Sequence, residues 1–116
     1  MLHTPEFFRL FHKILSSEQQ RKVRALAENQ LTANPFVGDH LKYEFFREKR
    51  LDEKRVYFLI YEDLHAVLLI GISDKRQQQD VIDEIIARLD AYKEFTREQI
   101  KQIGRAFPQK PPSSSE

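Results

Sequence analysis

The stretch from Arg55 to Asp80, RVYFLIYEDLHAVLLIGISDKRQQQD, decides the fold. Val56 to Tyr61 and Ala66 to Ile72 are dominated by β-branched, aliphatic and aromatic residues on both alternating faces, the pattern of strands covered above and below. The break between them, Glu62-Asp63-Leu64-His65, is too short for a crossover and forces antiparallel pairing. Upstream, Tyr43 to Lys49 mixes aromatics with charges and reads as a third strand, with Leu51-Asp52-Glu53-Lys54 as the hairpin turn. Three consecutive strands therefore form a meander.

Helical signals lie on both sides. Thr4-Pro5 opens a helix over roughly 5 to 15, because the hydroxyl can cap free backbone amides and proline has no N–H to leave unpaired in the first turn. Phe7, Phe8, Leu10, Phe11, Ile14 and Leu15 recur on its apolar stripe. Ser16-Ser17-Glu18-Gln19-Gln20 carries a capping box for a second helix, lined by Val23, Leu26, Ala27 and Leu31. Asn34-Pro35 ends it, and Gly38-Asp39 adds a turn.

After Ile72 the period changes again. Val81, Ile82, Ile85, Ile86, Leu89 and Tyr92 predict a helix capped by Ser73 or Asp74. Thr96-Arg97-Glu98-Gln99 predicts a fresh cap and a short last helix carrying Ile100, Ile103 and Phe107. The order is helix, helix, strand, strand, strand, helix, helix. Such segregation means an α+β fold, a helical hairpin packed on an antiparallel meander and followed by C-terminal helices. We expect one domain over residues 1–107 and a disordered tail over 108–116, PQKPPSSSE, which has no apolar side chain to anchor it.

Composition narrows the chemistry. The 116 residues include no cysteine, so disulfides and thiolate metal sites are excluded, and an intracellular, cytoplasmic setting is the simplest expectation. No signal peptide and no apolar run long enough to span a bilayer is present, so no membrane partner is expected. His3, His12, His40 and His65 are scattered, which argues against a metal. The three glycines are far apart, which argues against a phosphate loop, and we expect no cofactor.

The basic residues around the strands remain. Residues 41–55 hold six basic side chains (Lys42, Arg47, Lys49, Arg50, Lys54, Arg55) against four acidic ones, although the chain's net charge is only +1. Alternation puts Tyr43, Phe45, Arg47 and Lys49 on one face of the first strand, and Arg55, Tyr57, Leu59 and Tyr61 on one face of the second. With Lys75 and Arg76 closing the third strand, this predicts a sheet face edged by arginines and tyrosines. Such a face suits phosphates and unpaired bases. Read as physics alone, the favoured account is that the charges are solvated strand margins and the tyrosines belong to the core.

The two amphipathic helices opened by Thr4-Pro5-Glu6-Phe7, the Asn34-Pro35 turn followed by Gly38, and the strand Arg55-Val-Tyr-Phe-Leu-Ile-Tyr resemble the RelE/ParE toxin superfamily over roughly residues 4 to 90. The resemblance implies the toxin of a type II toxin–antitoxin system, with a cognate antitoxin protein as partner. In RelE-like members the ribosome and mRNA are the target, and the toxin is an mRNA endoribonuclease that blocks translation. It implies catalytic roles for Arg55 and for Arg76 or Lys75. Arg47, Lys49, Arg50 and Lys54 are the candidate RNA-binding residues. The ParE-like alternative is a non-catalytic protein that works through protein contacts, as a gyrase inhibitor or an inactive relative. Three departures stand out. Gln77-Gln78-Gln79 occupies the place of the family's late tyrosine or histidine, Glu44 and Glu48 put negative charge on the strand that should be most basic, and the usual N-terminal strand is shortened or missing.

Overall fold

A computed structural model describes residues 2–31, 33–36 and 38–106, with side chains described through 103; the expected tail lies outside the described residues. The fold is α+β. The strands are β1 (Leu2–His3), β2 (Asp39–His40), β3 (Phe46–Leu51), β4 (Lys54–Tyr61) and β5 (Ala66–Asp74). The helices are α1 (Pro5–Ile14), α2 (Ser17–Ala25), α3 (Gln78–Ala87) and α4 (Leu89–Ala106). Strand order is β1-β5-β4-β3-β2. The expected meander, β3-β4-β5, is antiparallel throughout. It is widened by two short edge strands that local pattern did not announce, β1 parallel to β5 and β2 antiparallel to β3.

The caps of the first two helices form as their residues dictate. Thr4 Oγ1 accepts the Phe7 amide at 3.0 Å, and Ser16 and Gln19 complete a reciprocal capping box. Past Ala25 the helix widens to π geometry over Leu26–Leu31. Its hydrogen bonds span five residues, which brings Leu26 and Leu31 onto one buried side. Phe7, Phe11, Leu15, Val23, Leu26 and Leu31 pack on Leu51, Val56, Phe58, Ile60, Val67, Leu69 and Ile72, so the helical hairpin covers one face of the sheet. Each such buried side chain contributes about 1.5–3 kcal/mol.

The other face is covered as well. Phe46, Tyr57, Leu59, Tyr61, Leu68 and Ile70 pack with Ile82 and Ile85 of α3 and with Leu89, Tyr92 and Phe95 of α4. Gly71 allows the close approach of α3, since a Cβ there would touch Ile85 at 3.4 Å and Tyr57 at 3.6 Å.

Four local expectations change. The strand expected from Tyr43 starts at Phe46, because Tyr43 accepts the Phe46 amide in a turn (3.1 Å) and its ring stacks on Phe45. The hairpin loop is only Asp52-Glu53, with Asp52 at φ 58°. Neither Ser73 nor Asp74 caps α3. Asp74 instead accepts the Gln77 amide at 3.0 Å in a preceding turn, and Ser73 is fully buried in β5. Thr96 starts no helix: it lies inside α4, where its hydroxyl bonds back to the Tyr92 carbonyl at 2.9 Å.

Candidate active site

Register determines which basic residues meet. With Asp52-Glu53 as the loop, Arg50 lies opposite Arg55, Lys49 opposite Val56, Glu48 opposite Tyr57 and Arg47 opposite Phe58. Directly opposed residues share a face. Arg47, Lys49 and Lys54 therefore belong to the helical-hairpin side, whereas Arg50, Arg55, Glu48 and Tyr57 belong to the α3 side. The single arginine-and-tyrosine face that alternation suggests is split between the two sides of the sheet. Nor is it open: Tyr57 and Tyr61 are buried beneath α3 and α4.

A β-bulge assembles the α3-side cluster. Tyr57 pairs with Gly71 and Phe58 with Leu69, leaving Ile70 without an opposite partner. The extra residue reverses the alternation of β5 beyond it. Ser73 thus comes to the same face as Tyr57 and Ile70, while Ile72 turns to the other. Ser73 pairs with Arg55 across the sheet, and its hydroxyl lies 2.8 Å from the Tyr57 hydroxyl.

Around this pair sits a small polar recess. Arg55 is 7% exposed, and its Nε faces Glu48 Oε2 at 3.8 Å. Glu48 also accepts a hydrogen bond from Gln78 Nε2 at 2.9 Å, so the first turn of α3 closes one side. Among the described residues the two terminal nitrogens of Arg55 make no hydrogen bond, leaving its fork of donors for another anion. Burial pushes the Tyr57 phenol up to about 12, the bond to Ser73 opposes that rise, and the charge of Glu48 adds to it. Tyr57 is therefore a neutral hydroxyl at ordinary pH.

The expected residues sort clearly. Arg55 lies in the recess, Arg50 is exposed beside it, and Lys75 and Arg76 are exposed in the turn that follows β5 at the same end of the sheet. Lys54 lies opposite Asp74 in the β4–β5 pairing. Arg47 plays a different part: it donates to the Gly38 carbonyl at 2.9 Å and the Glu44 carbonyl at 3.1 Å, and lies over the Phe36 ring. It fastens the loop before β3. Glu48, Ser73 and Gln78 were not among the expected site residues, and Tyr57, expected on an open face, is instead a buried partner of Ser73. A glycine inside a strand signals a bulge, so Gly71 was the available clue to Ser73.

No group of histidine or carboxylate side chains fit to hold a metal exists among the described residues. No described helix is long and apolar enough to cross a membrane. A scan against protein-family models finds no match, and a search of curated proteins finds none.

Proposed function

We propose that this chain is the toxin of a type II toxin–antitoxin system with a RelE/ParE-like arrangement, acting as a RelE-like mRNA endoribonuclease at the Arg55 end of the sheet. The observation that carries the reading is the buried Arg55, whose unengaged guanidinium donors sit beside a carboxylate and a tyrosine–serine pair. Exposed Arg50, Lys75 and Arg76 surround that end of the sheet. A guanidinium fork binds phosphate through two parallel hydrogen bonds, and its charge favours the extra negative charge that builds when a ribose 2′-hydroxyl attacks. Glu48 is the carboxylate within reach of Arg55 and is the group suited to accept that hydroxyl's proton. The 2′-oxygen bonds to phosphorus, the P–O5′ bond breaks, and the leaving 5′-oxygen takes a proton from water or back from Glu48. Glu48 would supply the acid–base capacity that Gln77-Gln78-Gln79 lacks.

The test is expression in a translating extract with mapping of mRNA ends. New ends that weaken by at least about tenfold in Arg55→Lys, which keeps the charge and loses the fork, support the proposal. Intact messages with full translation overturn it. The protein-contact alternative is favoured by α3, whose first turn bonds to Glu48 and narrows the approach to Arg55. Growth inhibition unchanged in the double variant Arg55→Lys with Arg76→Ala would support that alternative.

A further inference from the structure

A second site lies on the α3/α4 side of the sheet, where three segments distant in sequence converge. The turn before β3 supplies Tyr43 and Phe45, the turn after β4 supplies Glu62 and Asp63, and the first turns of α4 supply Asp90 and Lys93. Together they line an open cleft of about 520 Å3. The Tyr43 and Phe45 rings are parallel, 5.0 Å apart with a 6° interplanar angle, and Phe45 is exposed. Lys42 lies over the Tyr43 ring at 5.6 Å.

The charges in the cleft are unequally matched. Lys93 is committed: its Nζ bonds Asp63 at 2.9 Å and also lies 5.6 Å from the Tyr61 ring centre. Glu62 and Asp90 are exposed and have no ion-pair partner among the described residues. Tyr61, which also lines the cleft, is 7% exposed and carries a buried hydroxyl with no hydrogen bond of ordinary geometry. Thr96 lies close to that hydroxyl, but its own proton is already given to the Tyr92 carbonyl. The cleft therefore offers an exposed aromatic ring and two carboxylates without an ion-pair partner among the described residues.

This combination matches one side chain better than any other. A guanidinium is planar, stacks on an aromatic face and donates in a fork to carboxylates, whereas an ammonium is a compact, strongly hydrated point charge. We propose that the cleft receives an arginine side chain from a protein partner, stacked on Phe45 and hydrogen-bonded to Glu62 and Asp90. Negative charge on the rim favours a partner segment that is basic overall, the reverse of what the Arg50, Lys75 and Arg76 end of the sheet would attract. The inference rests on this cleft alone and holds whether or not the chain cleaves RNA.

The experiment is titration of isotope-labelled full-length chain with N-acetyl-arginine methylamide, followed by amide shifts in two-dimensional NMR, with the lysine analogue as comparison. The expected result is saturable shifts at Phe45, Glu62, Asp90 and Lys93 in the millimolar range, at least about threefold weaker for lysine. Phe45→Ala and the pair Glu62→Gln with Asp90→Asn are surface changes that leave the fold intact, and each is expected to weaken the arginine effect by about threefold or more. Absence of shifts at the cleft, equal shifts with lysine, or shifts spread over every acidic surface overturns the proposal.

Discussion

Arg47 and Arg55 stand on adjacent strands and are almost equally buried, at 8% and 7% exposure, yet they do opposite things. Arg47 spends its donors on the backbone carbonyls of Gly38 and Glu44 and so holds a loop in place. Arg55 touches a single carboxylate, at 3.8 Å, and keeps its terminal donors unspent. Burial by itself therefore does not separate a structural arginine from one available for binding. What separates them is where the hydrogen bonds go.

The largest effect should come from Arg47. Arg47→Ala strands two carbonyls and removes a charge-assisted clamp, and is expected to cost about 3 kcal/mol in urea unfolding. Gly38→Ala attacks the same clamp from the backbone side. Gly38 has φ 77°, and a Cβ there would fall 2.4 Å from the Glu48 carbonyl oxygen. A loss of roughly 2 kcal/mol in the same assay is expected. On the Arg55 side, Tyr57→Phe deletes the hydrogen bond to Ser73 and should cost about 1 kcal/mol.

Tyr57 also sets a pH dependence. Its phenol is raised from 10.0 to about 12 in the folded chain, so between those values the unfolded chain releases a proton that the folded chain keeps. Stability is thus fully retained below pH 10 and falls as the pH rises toward 12, and Tyr57→Phe should make that fall shallower in pH-dependent melting. The smallest effect is expected where both charges go together. Arg55→Met with Glu48→Gln exchanges a buried pair for neutral groups and should change stability by less than about 1 kcal/mol, measured by thermal unfolding. If that double variant proved as costly as Arg47→Ala, the contrast between the two arginines would collapse.

Much of the fold is legible residue by residue. The Thr4 and Ser16 caps, the apolar stripes of α1 and α2, and the paired strands around Glu62–His65 all follow from spacing and side-chain chemistry acting within a few residues. Even the separation of Arg47 from Arg55 had a local cause. A hairpin loop with an even number of residues at Asp52-Glu53 sets Arg50 opposite Arg55 and thereby sends Arg47 and Lys49 to the other face. Thr96 misleads, since a hydroxyl followed by Glu98 and Gln99 resembles a cap locally but acts as one only where the preceding helix has already ended. Here α4 had begun seven residues earlier and runs through it.

By itself, then, the sequence determined the α+β class, the order of the main elements and the apolar stripes of the first two helices, because alternation and helical period act through neighbours in the chain. Only the tertiary structure decided which charges would meet. The bulge at Ile70 turned Ser73 toward Tyr57, and α3 laid Gln78 against Glu48. The edge strand β1 likewise comes from a segment that pairs only after the chain has closed on itself. Those contacts are long-range pairings in which one residue of register moves a side chain to the opposite face, and that shift leaves no trace in the local pattern.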